Sequence, residues 1–67
     1  MHHLNIRGIH PNTLLQLFTI NGALVYESIL DQDKILDISE YTPGTYIIKV
    51  KDLDSGMQGV SKFIKIE

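Results

Sequence analysis

Tyr41-Thr-Pro-Gly-Thr-Tyr-Ile-Ile-Lys-Val50 decides how this chain reads, because it joins a turn to the clearest strand in the sequence. Pro43 presets φ and Gly44 supplies a φ above zero, the pairing that a type II turn requires. From Thr45 to Lys51 the residues alternate. Tyr46, Ile48 and Val50 point one way; Thr45, Ile47, Lys49 and Lys51 point the other. A period of two marks a half-buried strand, and no apolar stripe of helical period competes with it elsewhere in the chain.

The segments on either side have the same character. Leu14 to Ile20 is a dense apolar run that ends at Asn21-Gly22. That pair predicts a type I′ hairpin, because Asn and Gly accept positive φ at both central positions with the least steric cost. Gly22-Ala-Leu-Val-Tyr26 then opens a return strand over Ala23 to Ile29. Lys34 to Ile38 follows the polar turn Asp31-Gln-Asp33 as a short strand, and Ser39 to Thr42 is an irregular connection with Ser39 as its cap. Leu4 to Ile6 is a short first strand, followed by a loop to Thr13 containing Gly8, Pro11 and Asn12. Gln58 to Ile66 is the last strand, with Val60, Lys62, Ile64 and Ile66 on one face and Ser61, Phe63 and Lys65 on the other. About six short strands punctuated by turns predict an all-β fold, a small antiparallel sandwich or barrel. Lys49, Lys51, Lys62 and Lys65 are expected to blunt its open edges.

A chain of 67 residues forms a single domain spanning 1–67, and one this small buries only about 60% of the surface its unfolded form exposes. It has no cysteine, so neither a disulfide nor a thiolate-bound metal is available as a staple. The formal net charge is −2, and the basic residues are spread along the sequence, with Lys49 and Lys51 in one strand and Lys62 and Lys65 in another. Nucleic-acid binding is not expected, since phosphate contacts need several cations on one face. No apolar run approaches the roughly 20 residues of a membrane-spanning helix. Met1 to Arg7 carries no apolar core of a signal peptide.

Chemistry finds little to use. His2, His3 and His10 have neither metal-ligand spacing nor a cysteine partner and read as exposed histidines. Asp52-Leu-Asp-Ser-Gly56 has the sound of a calcium loop, but position 62, where an EF-hand needs its bidentate Glu, is Lys. Ser28, Ser39, Ser55 and Ser61 lie in no nucleophile motif. No catalytic, cofactor-binding or metal-binding residue is assigned, and the chain is not expected to be an enzyme. Tyr26, Tyr41 and Tyr46 read as half-buried core with hydroxyls at the rim; an exposed row of them would instead suit sugar stacking.

Taken in order, the segments resemble the C-terminal sorting domain (type A) of the type IX secretion system of Bacteroidetes. Leu17-Phe-Thr-Ile-Asn-Gly-Ala-Leu-Val25 is similar to that family's strand, turn glycine and apolar strand. Leu36-Asp-Ile-Ser39 followed by Pro43-Gly-Thr-Tyr46 matches its short strand, turn and aromatic strand. Val60-Ser-Lys-Phe-Ile-Lys65 fits its closing strand. The family's usual opening Tyr-Pro-Asn-Pro is absent. His10-Pro-Asn-Thr13 lies too close to the second strand to replace it, so an N-terminally truncated domain is expected.

The resemblance implies an immunoglobulin-like β-sandwich and a non-catalytic sorting signal. It implies a cargo protein attached at the N-terminus, recognition as a folded domain by an outer-membrane translocon, and removal by a sortase-like peptidase. The cargo would reach the medium or the cell surface through the periplasm, with no membrane insertion by the domain itself. Recognition is expected at the exposed face of the last strand, through Lys62, Phe63 and Lys65, and at the Pro43-Gly44 turn. Asn21, Gly22, Pro43, Gly44 and Tyr46 are expected chiefly to make the fold. Two alternatives remain. One is a small accessory carbohydrate- or surface-binding sandwich displaying Tyr26, Tyr41 and Tyr46. The other is a chain that self-associates through open strand edges.

Overall fold

A computed structural model describes residues 3–66; His2 lies outside the described residues. Six strands form in the order β1 (His3–Ile6), β2 (Thr13–Thr19), β3 (Leu24–Leu30), β4 (Lys34–Asp37), β5 (Gly44–Asp52) and β6 (Gln58–Lys65). All pairings are antiparallel. One sheet has the order β3-β2-β5-β6, and β1 pairs with β4 in a second, two-stranded sheet. The result is a small antiparallel β-sandwich with no helix among the described residues.

Alternation along each strand builds the layer between the sheets. β2 turns Thr13, Leu15 and Leu17 inward, and the second sheet supplies Ile6 and Leu36, with Ile38 just beyond β4. Leu15, Leu17 and Ile38 are fully enclosed, and Leu4, Ile9, Tyr26, Tyr41, Ile48, Val50 and Phe63 pack around them. Buried Thr13 satisfies its hydroxyl by donating to the His10 carbonyl at 2.7 Å, as a buried polar group must.

Three local expectations are corrected. Asn21-Gly22 does not make a type I′ turn, because Gly22 has φ 94° while Asn21 keeps a negative φ. Gly22 N–H donates to the Thr19 carbonyl at 2.9 Å and Thr19 N–H to the Ala23 carbonyl at 2.8 Å. This is a three-residue loop of a type I turn closed by a left-handed glycine. Ala23 N–H also donates to Thr19 Oγ1, which favours the longer loop. After β4 the capping acceptor is Asp37 rather than Ser39: its Oδ1 receives the Ser39 N–H at 2.9 Å. At Pro43-Gly44, Gly44 has φ 149°, well beyond the value of a type II turn. The Thr42 carbonyl there accepts the Tyr46 hydroxyl instead. A tyrosine at the start of a strand bonded to backbone just upstream is a recurrent corner of immunoglobulin-like sandwiches.

The edges also differ from expectation. β5 is an interior strand, so Lys49 and Lys51 do not guard an edge; the edges of the larger sheet are β3 and β6.

Candidate recognition surface

The last strand pairs with β5 without a register shift, from Lys51 opposite Gln58 to Gly44 opposite Lys65. Its alternation divides the three residues expected to mediate recognition. Lys62 lies opposite Ile47 on the outer face and is exposed. Phe63 and Lys65 are not offered with it. Phe63 lies opposite Tyr46 inside the sandwich, half-buried, with ring centroids 5.2 Å apart and planes 14° from parallel. Lys65 is only 3% exposed.

The reason for Lys65's burial is a carbonyl cage. Its ammonium donates to the carbonyls of Ile38 at 2.7 Å, Ser39 at 3.0 Å and, by a short bond, Tyr41. An ammonium has three protons to give and no acceptor capacity, so three convergent carbonyls complete it. The cage ties the end of β6 to the β4–β5 connection. That connection reverses through a Tyr41 N–H bond to the Ile38 carbonyl, which turns the carbonyls toward one point.

Tyr41, Tyr46 and Phe63 form an internal aromatic ladder beside this cage, the two tyrosine rings 5.6 Å apart. Burial, and then the nearby Tyr26 and Tyr46 hydroxyls, raise the Tyr41 pKa above its ordinary value. Tyr46 is buried and Tyr26 half-buried against the core. The solvent-facing tyrosine row that sugar stacking requires is therefore not formed.

On the outer face of the four-stranded sheet, cross-strand rows read Ile29-Leu14-Lys51-Gln58, Glu27-Gln16-Lys49-Val60 and Leu24-Phe18-Ile47-Lys62, with Thr45-Ile64 beyond them. Lysines that are scattered in sequence thus gather. Lys49 and Lys51 share a face of β5, and Lys62 stands diagonally across from Lys49, within the reach of neighbouring side chains. Val60 is 66% exposed and Ile64 58%. Glu27 is the one acid of these rows, and its Oε2 accepts Gln16 Nε2 at 2.6 Å. The sequence reading missed Lys49 and Lys51 as partners of Lys62. The signal was present in the parity of two strands joined by a single loop.

The opposite character belongs to the loops at the Thr13 end of the sheet. Asn12, at φ 63°, links three of them. Its Nδ2 donates to Asp54 at 3.1 Å, its N–H to Asp31 at 3.3 Å, and its carbonyl accepts Leu53 N–H at 3.0 Å. Asp33 Oδ1 accepts Ile9 N–H at 2.9 Å. Asp52 Oδ1 accepts the N–H groups of Asp54 and Ser55 at 2.9 and 3.3 Å. Those bonds, led by the one from Asp54, hold its carboxyl below the ordinary range. Of the aspartates with a calcium-loop spacing, Asp52 thus caps backbone and Asp54 accepts the Asn12 side chain, and no group of three or more potential ligands gathers among the described residues.

His10, Asp52 and Ser55 share a groove of about 360 Å³ with Ile9, Val50 and Met57. Nucleophilic catalysis would need the histidine bonded between the other two. Here Asp52 Oδ1 is taken by amides, and Ser55 Oγ accepts the Met57 N–H at 3.2 Å. Asp52 and Ser55 brace the loop between β5 and β6.

The family described as "Secretion system C-terminal sorting domain" matches residues 2–67 of the chain. No curated protein and no solved structure matches the chain.

Proposed function

We propose that this chain, which belongs to the family of secretion system C-terminal sorting domains, is read by the type IX machinery as a folded unit. The family implies a signal that directs an N-terminally attached cargo to the medium or the cell surface. Within that frame, the outer-membrane translocon binds the intact sandwich, and a sortase-like peptidase removes it afterwards. The domain is a substrate of that peptidase and contributes no chemistry of its own.

The observation that carries the folded-unit reading is the Lys65 cage. A linear signal needs its residues free. Here Gln58 to Lys65 are paired along β6, and Lys65 is bound by backbone of the β4–β5 connection. Exposing them means stripping β6 from β5 and breaking the three bonds of the cage. Lys62, which stays exposed, is the direct contact residue of the closing strand; Phe63 and Lys65 act by holding that strand in place.

The test is an export assay. Residues 1–67 are fused behind a fluorescent protein carrying a signal peptide, in a Bacteroidetes host with and without a working type IX system. Fluorescence should reach the medium or surface only in the competent strain. A Leu17→Asp version, which puts a charge into the core, should be retained in the periplasm. Export of that unfolded version at the wild-type level would defeat the folded-unit reading.

A further inference from the structure

The outer face of the β3-β2-β5-β6 sheet is the largest feature that the fold itself leaves unexplained. Antiparallel sheets with one solvated face usually alternate apolar inside and polar outside. This sheet does not. Phe18, Ile47, Val60 and Ile64 occupy outer positions among Lys49, Lys51 and Lys62. The chain carries formal charge −2, yet this face holds three lysines and one glutamate that is already hydrogen-bonded. Its sign is opposite to that of the whole protein.

We infer that this face is a docking surface for a protein partner whose own surface sets carboxylates, interspersed with apolar side chains, against Lys49, Lys51 and Lys62. Complementary potentials fix orientation and suppress wrong partners, while the aliphatic side chains between the charges supply the buried area. The inference rests on the sorting-signal reading, since the partner is then part of the export machinery.

Two other occupants fit less well. An anionic lipid surface presents one sign everywhere, and Glu27 in the central row opposes it. Lipid-interface faces also favour Tyr and Trp, whereas Tyr26, Tyr41 and Tyr46 all turn inward. A second copy of the same face would set lysines against lysines, at a cost.

The test uses the full chain in the export fusion. K49E/K51E/K62E should lower export by about tenfold or more, because like charges placed across an interface repel strongly. K49R/K51R/K62R, which keeps the three charges, should recover most of the export that the reversal loses. Arg7→Glu, an exposed change away from this face, moves net charge in the same direction as the reversal and should have no effect. Thermal melts of the purified chains must show that the reversal variant still folds. If it does not, K49Q/K51Q/K62Q takes its place, with a smaller loss expected.

A folded reversal variant exported at the wild-type level overturns this surface and leaves the sorting reading intact. A wild-type fusion that is not exported overturns the sorting reading and this inference with it. Wild-type chain sedimenting with vesicles of equal phosphatidylglycerol and phosphatidylcholine, in a way the reversal abolishes, would assign the face to lipid instead. A dimer in sedimentation that the reversal dissociates would assign it to a second copy. Either result replaces the protein partner.

Discussion

Lys62 and Lys65 lie three residues apart on one strand and do opposite things. Lys62 stands in solvent on the outer face of the larger sheet, while Lys65 is enclosed and bonded to three carbonyls. The same contrast holds for the two faces as wholes. The inner face closes on Leu15, Leu17 and Tyr46 with its polar atoms satisfied. The outer face keeps Val60 and Ile64 exposed beside unburied lysines. Residue type does not distinguish the faces, because both hold aliphatics, an aromatic and lysine. Strand parity does: it makes one set of side chains structural and leaves the other for interaction.

The comparison breaks most readily at the core. Leu17→Ala should cost about 2–5 kcal/mol, which is comparable to the whole stability of roughly 3–5 kcal/mol expected for so small a domain. The variant should be largely unfolded in urea titrations at room temperature. Val60→Ala, on the same sheet but outward, should stay within about 0.5 kcal/mol of the wild type. Equal losses at the two sites would mean that the outer face is packed in the isolated chain.

The lysine pair sharpens the same point. Lys65→Met keeps the stem and removes the charge, leaving the Ile38 carbonyl with its Tyr41 N–H bond and those of Ser39 and Tyr41 without the ammonium. Stranding such buried groups costs about 1–3 kcal/mol. Melting should fall by about 4–8 °C for each kcal/mol in a domain of this size. Lys62→Met should leave the melting temperature nearly unchanged while weakening export. If Lys65→Met melts as the wild type does, water replaces the ammonium without loss and the cage is not a structural element.

Much of this architecture was legible in the sequence because strand parity is local. The alternation of Thr45 to Lys51 put Tyr46, Ile48 and Val50 on one side, which is the inner side of the fold, and the division of β6 into two faces was likewise readable. What escaped depended on partners distant in sequence. A lysine on an alternating strand reads as exposed, since lysine is rarely enclosed. The groups that enclose Lys65 are backbone carbonyls more than twenty residues away, and carbonyls have no residue identity to read. The gathering of Lys49, Lys51 and Lys62 was nearer to hand, needing only the pairing of two consecutive strands across their connecting loop. At Asn21-Gly22 the pair suits both hairpin forms, and the Thr19 hydroxyl favours the longer one.

A smaller effect separates the aromatic ladder from the tyrosine bond at its corner. Tyr46→Phe keeps the ring on Phe63 and removes the hydroxyl that donates to the Thr42 carbonyl. A single hydrogen bond of this kind contributes about 0.5–1.5 kcal/mol, so the variant should fold and melt a few degrees lower. Tyr46→Ala also removes the ring and should lose several-fold more. Similar losses from the two substitutions would assign the stabilisation to the corner bond rather than to the stack.

The smallest expected effect lies at the acidic end, away from the Lys65 cage. Asp52 is ionised more readily in the folded chain than in the unfolded one, because its carboxylate accepts the N–H groups of Asp54 and Ser55. A lowered carboxyl pKa adds stability that is present in full above the ordinary value near 3.8 and is lost as pH falls through the lowered folded value. Acid should therefore loosen the 52–56 loop before it reaches the core. The Asp54 and Ser55 amide resonances should move together below about pH 4, while the carbonyl-bound Lys65 end of β6 stays fixed. Asp52→Asn should remove that titration and leave a loop whose amide shifts are flat across the same range. If the loop and the Lys65 end shift together, the two poles of the sandwich unfold as one unit, and the aspartate cap has no separate role.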